Sequence, residues 1–333
     1  SDLEAETTDP EYVDELTGEA IRGLRQFGFS KDHKPNPLVE MGLFMDTDGI
    51  PISMCLASGN TNEQTTVIPL EKELIKMFDD NHKKFIYCAD AGLSSYHIRN
   101  FNSMGGRAFV VTQSVKKLSD VLKQAVFNDY GYRRLSDNKP SSISEMKQFN
   151  KQDSNNKNLY NDRIYKVIEA NTLLDIGLYE EKILQNSKRK KIKSKAFLKQ
   201  HVIITFSRKS MEYQRLIRNR QIDRAKALLD KMTPDDYKKG PHDVTRFIKK
   251  VAKDKITYEI DNDKIREEEK YDGFYAIATN LDDEVKDIIA INEQRYMIED
   301  CFRILKTDFC SRPYFHRNRK RIIAHFMIAV IDR

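Results

Sequence analysis

A chain of 333 residues, 39% hydrophobic and 32% charged, can bury a full core, and its length suits two compact units. It has no apolar run of about 18 residues, and Ser1-Asp2-Leu3-Glu4-Ala5-Glu6 offers neither a basic region nor an apolar signal core, so neither a membrane span nor a visible secretion signal is expected. The net charge of +6 leans modestly towards an acidic partner; the four cysteines, Cys55, Cys88, Cys301 and Cys310, lack zinc-site spacing and read as reduced thiols of a cytoplasmic protein.

The acidic first residues read as a loop, followed by a helical pattern around Tyr12, Leu16, Ala20 and Leu24. Gly28 to Pro37 is dense in turn formers and reads as an exposed loop. Leu38 to Met45 and Ile50 to Ala57 are apolar runs joined by Asp46-Thr47-Asp48-Gly49, whose Asp-Gly step predicts a β-hairpin. Asp46 and Asp48 are accordingly read as turn formers rather than catalysts. A turn at Gly59 to Glu63 leads into a helix from about Thr66 to Asp79.

Lys84 to Ala89 is a short apolar run ending in Asp90-Ala91-Gly92, the form in which a buried strand hands an aspartate to the surface at its C-terminal tip. Asp90 is either a structural cap or a site residue, because ligands of α/β sheets bind beyond the carboxyl ends of the strands. A helix over Leu93 to Phe101 and a strand over Arg107 to Thr112 complete a succession that is α/β in kind.

Between Ser114 and Glu269 the texture changes. Lys139 to Asn161 is rich in Ser, Asn and Gln and reads as a mobile loop. Ile164 to Ala170, Gln200 to Arg208 and Lys255 to Ile260 read as strands, and Met211 to Met232 as a charged helix. Basic residues gather in Lys188-Arg189-Lys190-Lys191 and again from Arg208 to Lys226, which fits either solvated faces or nucleic-acid contact. The expected organisation is a core in two parts, residues 1–113 and 270–333, split by an insertion over 114–269.

After a turn at Asp272-Gly273 and a buried strand, the chain reaches Ile291 to Lys306, read as one helix. At about 100° per residue, Met297, Ile298, Cys301, Ile304 and Leu305 share one face, and Arg295, Glu299, Arg303 and Lys306 the other. One acid among three cations can hold a hard divalent cation and a polyanion together. The same pattern also fits an ordinary amphipathic helix carrying a charge ladder.

Asp48-Gly49-Ile50-Pro51, Gly59-Asn60, Tyr87-Cys88-Ala89-Asp90-Ala91-Gly92, Tyr271-Asp272-Gly273 and Arg295-x3-Glu299-x6-Lys306 together closely resemble insertion-sequence DDE transposases. The similarity is to the bacterial class with a Tyr-x2-Arg-x3-Glu-x6-Lys signature, covers nearly the whole chain and follows the family's order. Asn292 stands where that signature has Tyr.

The resemblance implies an RNase H-like α/β core, a mixed sheet flanked by helices, interrupted by a long, mainly β insertion with charged helices. It implies two-metal cleavage and strand transfer at transposon ends, with Mg²⁺ or Mn²⁺ held by Asp90 and Glu299 as catalytic carboxylates. Arg295, Lys306 and Arg303, with Lys188, Arg189, Lys190 and Lys191, are the expected contacts to double-stranded DNA, on which the family works as a homodimer. The family's first aspartate lies on a strand before the first hairpin, and Asp2, Asp9 and Asp14 lie in loop-like sequence. The chain is therefore expected to be a fragment that begins after that strand. The alternative is a truncated, inactive remnant that binds DNA or a partner transposase.

Overall fold

A computed structural model describes residues 2–5, 7–9, 12–13, 20–21, 23–28, 35–78, 85–148, 150, 152, 154, 157–171, 179–183, 189–193, 197–229, 243–252, 256–309 and 315–331. The chain is mixed α/β and forms two compact units, Ser1–Thr112 with Thr279–Arg333, and Gln113–Ala278.

In the first unit, the opening residues are not the loop that their acidity suggests. Asp2–Glu4 form strand β1. Leu3 and Ala5 are buried two residues apart, the period that puts alternate strand side chains on one face. Asp9 is held by Arg25, whose backbone N–H and Nε donate to its carboxylate at 2.9 and 2.7 Å. The helical pattern expected next is instead a short antiparallel pair, β2 (Tyr12–Val13) and β3 (Ala20–Ile21). The β-branched Val13 and Ile21 favour that extended state, and cross-strand pairing overrides a weak helical period. Leu16 lies outside the described residues; Leu24 is buried in an irregular segment.

The expected hairpin is present as β4 (Leu38–Met45) and β5 (Pro51–Ser58), with β1 on its edge in the order β1-β4-β5. Asp46 Oδ1 accepts the amides of Asp48 and Ile50 at 2.9 and 2.8 Å, and Gly49 takes φ +80°, so Asp46 is the turn former its sequence context implies. Helix α1 (Glu63–Phe78) buries Val67, Leu70, Glu71 and Leu74 at helical spacing. Strand β6 (Ile86–Ala89), a 3₁₀ turn at Ala91–Leu93, α2 (Tyr96–Phe101) and β7 (Ala108–Gln113) follow, β6 and β7 pairing in parallel. Parallel neighbours need a crossover, and α2 supplies it.

The second unit opens with α3 (Asp120–Phe127), β8 (Tyr132–Arg134) and β9 (Pro140–Ser141). The polar stretch read as a mobile loop holds β9 and two short helices, α4 (Ile143–Gln148) and α5 (Lys157–Tyr160). Its order comes from a distant cap: the Asp129 carboxylate accepts the amides of Ile143 and Ser144 at 2.8 and 3.2 Å, and Ile143 and Met146 are buried.

Then come β10 (Ile164–Glu169), the hairpin β11 (Tyr179–Ile183) and β12 (Arg189–Lys193), β13 (His201–Phe206) and α6 (Arg208–Leu229). The pair β14 (Ile248–Ala252) and β15 (Ile256–Ile260), α7 (Asn262–Glu269) and β16 (Phe274–Thr279) complete this part. Strands lie side by side in the order β16-β13-β10-β8-β9. The unit's longest described element is the 22-residue α6, a charged helix as expected. Gly273, at φ +83°, is where only glycine fits, since an added Cβ would lie 2.7 Å from Phe206 and 2.8 Å from the Ser207 carbonyl.

Returning to the first unit, Thr279 Oγ1 donates to the Phe109 carbonyl at 2.7 Å and Asn280 accepts the Phe109 amide at 2.9 Å, tying the returning chain to β7. Helices α8 (Val285–Glu293), α9 (Tyr296–Thr307) and α10 (Arg319–Ile331) follow. Cys301 and Leu305 of α9 pack with Leu3, Val39 and Met41 of the sheet and with Ile322 and Phe326 of α10. Cys55, Cys88 and Cys301 are free, and Cys310 lies outside the described residues. Among the described residues no helix is long and apolar enough to cross a membrane.

Candidate functional site

Asp90 is exposed immediately beyond the C-terminal end of β6. Its Oδ1 accepts the amides of Gly92 and Leu93, at 2.9 and 3.1 Å, so it caps the 3₁₀ turn that follows. Of the two sequence readings of this residue, these bonds show the structural cap. Oδ2 has no protein donor among the described residues.

The turn's carbonyls are engaged as well. Ser94 Oγ donates to Ala91 at 3.1 Å, Gln64 Nε2 to Gly92 at 2.8 Å, and the Tyr87 hydroxyl to Leu93 at 2.9 Å. Arg99 Nη2 in turn donates to Ser94 Oγ at 3.2 Å. Burial, with the nearby Glu71 and Asp90 charges, pushes the Tyr87 phenol well above its ordinary value, so Tyr87 is a fixed donor at any physiological pH. Sequence reasoning missed Gln64, Tyr87, Ser94 and Arg99 as neighbours of the aspartate's turn. Only Ser94 carries a local signal, as a hydroxyl residue beside a turn.

The helix expected to run unbroken from Ile291 to Lys306 is interrupted at Gln294-Arg295. Winding tightens there: Arg295 N bonds the Asn292 carbonyl, Met297 N that of Gln294 and Ile298 N that of Arg295, all three residues back. Arg295 Nε also donates to the Asn292 carbonyl, at 3.1 Å, and the helical spacing of four resumes with Glu299 N on the Arg295 carbonyl. Arg295 therefore stands at the start of α9, one turn before Glu299, rather than inside a continuous charged face.

Of the apolar face, Cys301 and Leu305 are fully buried, while Met297, Ile298 and Ile304 are half-buried. Glu299 is exposed, and its carboxylate has no hydrogen bond or ion pair among the described residues. Arg303 is not a separate cation, because Nε and Nη2 bond Asp300 Oδ1 at 3.1 and 3.0 Å. Both side chains are about half exposed, so the pair is worth ~0.5 kcal/mol and another anion can displace it. Lys306 is half-buried in the last turn of α9.

The two acids belong to one unit, and β6, which leads to Asp90, touches α8, the helix before the one that bears Glu299. The Cys88 thiol of β6 donates to the Ile291 carbonyl of α8 at 3.5 Å. Burial pushes that thiol up to about 11, with the Arg295 charge acting the other way. On another side, a Cβ added to Gly49 would lie 2.9 Å from Met297 Sδ, so the hairpin turn sits against the first turn of α9.

Arg189, Lys190 and Lys191 lie on β12, where they face Ile183, Lys182 and Glu181 of β11 across the ladder. They belong to the second unit; Lys188 lies outside the described residues. Among the described residues no three His, Cys, Asp or Glu side chains gather closely enough to hold a metal ion. The carboxylates of Asp90 and Glu299 are hard oxygen donors of the kind that suits Mg²⁺ or Mn²⁺, and neither has an ion pair among the described residues. No family model matches the chain, and no curated protein compared with it matches either.

Proposed function

We propose that this chain is the catalytic region of a DNA transposase of the DDE kind, with an RNase H-like first unit, acting on phosphodiester bonds at transposon ends. The reading rests on its sequence resemblance, and one structural observation carries it furthest. An acid stands at the tip of β6, and β6 is bonded through Cys88 to α8, which is followed by α9 with Glu299; among the described residues Asp90 Oδ2 and the Glu299 carboxylate have no partner. The antiparallel order β1-β4-β5 and the parallel pair β6-β7 in the same unit are compatible with that core.

Asp90 and Glu299 would hold the divalent cation, which when bound activates an attacking oxygen and absorbs charge on the leaving one. The chain's own cations do the rest. Arg295, steadied by its bond to Asn292, and Lys306, at the other end of α9, bracket Glu299 and would position phosphates on either side of the cleaved bond. Arg303 would exchange Asp300 for a phosphate oxygen at little cost. The β12 cations would add sequence-independent affinity that falls steeply with salt.

Calorimetric titration with Mn²⁺ tests the reading, using this chain and its Asp90→Ala and Glu299→Ala variants with a DNA duplex present. Binding that is lost in both variants supports one shared site. Binding that either variant leaves unchanged overturns it.

A second reading is a transposase-like chain that holds DNA without cutting it, for which the cations of β12 would serve without any metal. Metal-dependent nicking of a duplex, abolished by Glu299→Ala, would exclude this second reading.

A further inference from the structure

The turn after β6 is held more firmly than its fold requires. Ala91, Gly92 and Leu93 form a single exposed or half-exposed 3₁₀ turn whose carbonyls water could satisfy. Instead all three carbonyls accept side-chain donors, and the donors come from three places: Gln64 near the start of α1, Tyr87 on β6, and Ser94 backed by Arg99 of α2.

Burial explains part of this. Tyr87 is 3% exposed and its hydroxyl needs a partner somewhere. Burial does not explain Gln64, which is exposed and loses side-chain freedom to reach a carbonyl 28 residues away. Like Tyr87, the buried Arg99 needs acceptors, and one that it takes, Ser94 Oγ, itself grips the turn.

The shared consequence is the placement of one carboxylate. With its carbonyls fixed, the turn cannot rotate its Gly92 and Leu93 amides away from Asp90 Oδ1. That oxygen is committed, and symmetric chelation through both oxygens is blocked. A cation that demands near-ideal octahedral geometry and takes carboxylates singly, as Mg²⁺ does, is suited by one rigid oxygen.

We propose that Gln64, Tyr87 and the Arg99–Ser94 pair are positioning residues that lock the Asp90 turn, so that Asp90 presents Oδ2 alone to a divalent cation. This rests on the metal-site reading above, and concerns how the ligand is held rather than whether it is one. Comparable outer partners of metal ligands change affinity about 10-fold or more when removed.

The test uses the full chain and two nearly isosteric variants, Tyr87→Phe, which removes only the hydroxyl, and Gln64→Glu, which removes the donor. Leu74→Ala serves as a control that loosens the same unit through its core. Two quantities are read: Mn²⁺ affinity by calorimetry, and the NMR shifts and exchange rates of the Gly92 and Leu93 amides without metal. The expected result is an affinity about 10-fold weaker in each turn variant, with both amides losing their carboxylate-bonded shifts and exchanging faster, and neither change in Leu74→Ala.

Wild-type affinity in the turn variants overturns the inference, whatever the amides do, and so does weakened affinity with unchanged amides. A loss of affinity in Leu74→Ala equal to that in the turn variants also overturns it, by reducing the effect to general loosening. If the unaltered chain binds no Mn²⁺, the metal-site reading falls and the inference with it. The amide shifts then still report whether the side chains lock the turn.

Discussion

Cys88 and Ile291 are joined by a hydrogen bond from thiol to backbone carbonyl, 3.5 Å long and spanning 203 residues of sequence. Asp90 lies two residues beyond the first partner and Glu299 eight beyond the second. This contact brings the strand that ends in one acid against the helix that leads to the other.

The Cys88 thiol should be a poor nucleophile. Burial raises it from an ordinary 9.0 to about 11, which leaves about 100-fold less thiolate at neutral pH. In a chain with Cys55, Cys301 and Cys310 changed to Ser, iodoacetamide should modify Cys88 at least ~100-fold more slowly than it does the unfolded chain. A rate within about tenfold of the unfolded rate would show that the thiol is neither buried nor committed to Ile291.

Glu71 should make the first unit lose stability as pH rises. Its side chain is fully buried on α1, with Oε2 accepting Asn102 Nδ2 at 3.0 Å. Burial raises it from an ordinary 4.5 to about 7, against the weaker opposing effects of Asn102 and Arg107. The folded chain thus binds this proton more tightly than the unfolded one. The contribution is fully present below about pH 4.5 and is lost as pH climbs through about 7, amounting to roughly 3 kcal/mol. Glu71→Gln keeps the shape and removes the titration. Urea unfolding at pH 5 and pH 8 should show the variant losing about 3 kcal/mol less than the parent between the two pH values, and equal losses would refute the assignment.

In the second unit Arg218 grips Asp272 through both oxygens, at 2.6 and 2.7 Å, with each side chain only 6% exposed. Arg215 adds a longer bond to Asp272, and Glu269 one to Arg218, each at 3.4 Å. Removing one partner strands a buried charge, so Arg218→Ala should cost about 3–5 kcal/mol. The apolar exchange of both, Arg218→Met with Asp272→Leu, should cost well under the sum of the single changes. Chemical denaturation of the two singles and the double decides this, and additivity would mean the pair is not coupled.

Much of the frame was legible because local chemistry writes it. The β4–β5 hairpin follows from a turn whose Asp46 and Gly49 lie four residues or fewer from every atom they organise. The strand delivering Asp90 follows from a short apolar run, and the stripe of Cys301 and Leu305 in α9 from periodicity. Sequence therefore determined which acids lie on which elements, and that Asp90 and Glu299 reach the surface.

Tertiary structure decided what those acids experience. Leu3 makes a strand of an acidic terminus because it finds Val39 and Leu305, and α4 forms where a loop was expected because Asp129 caps it from 14 residues away. The break at Arg295 depends on bonds to the Asn292 carbonyl that no helical wheel contains. Asp90 Oδ1 is taken by the Gly92 and Leu93 amides, in a turn whose three carbonyls accept from Ser94, Gln64 and Tyr87. Turns and helix faces are fixed by neighbours within a few residues. The lone pairs of a carboxylate are apportioned by whatever side chains folding brings beside it, and their sequence positions carry no mark of that meeting.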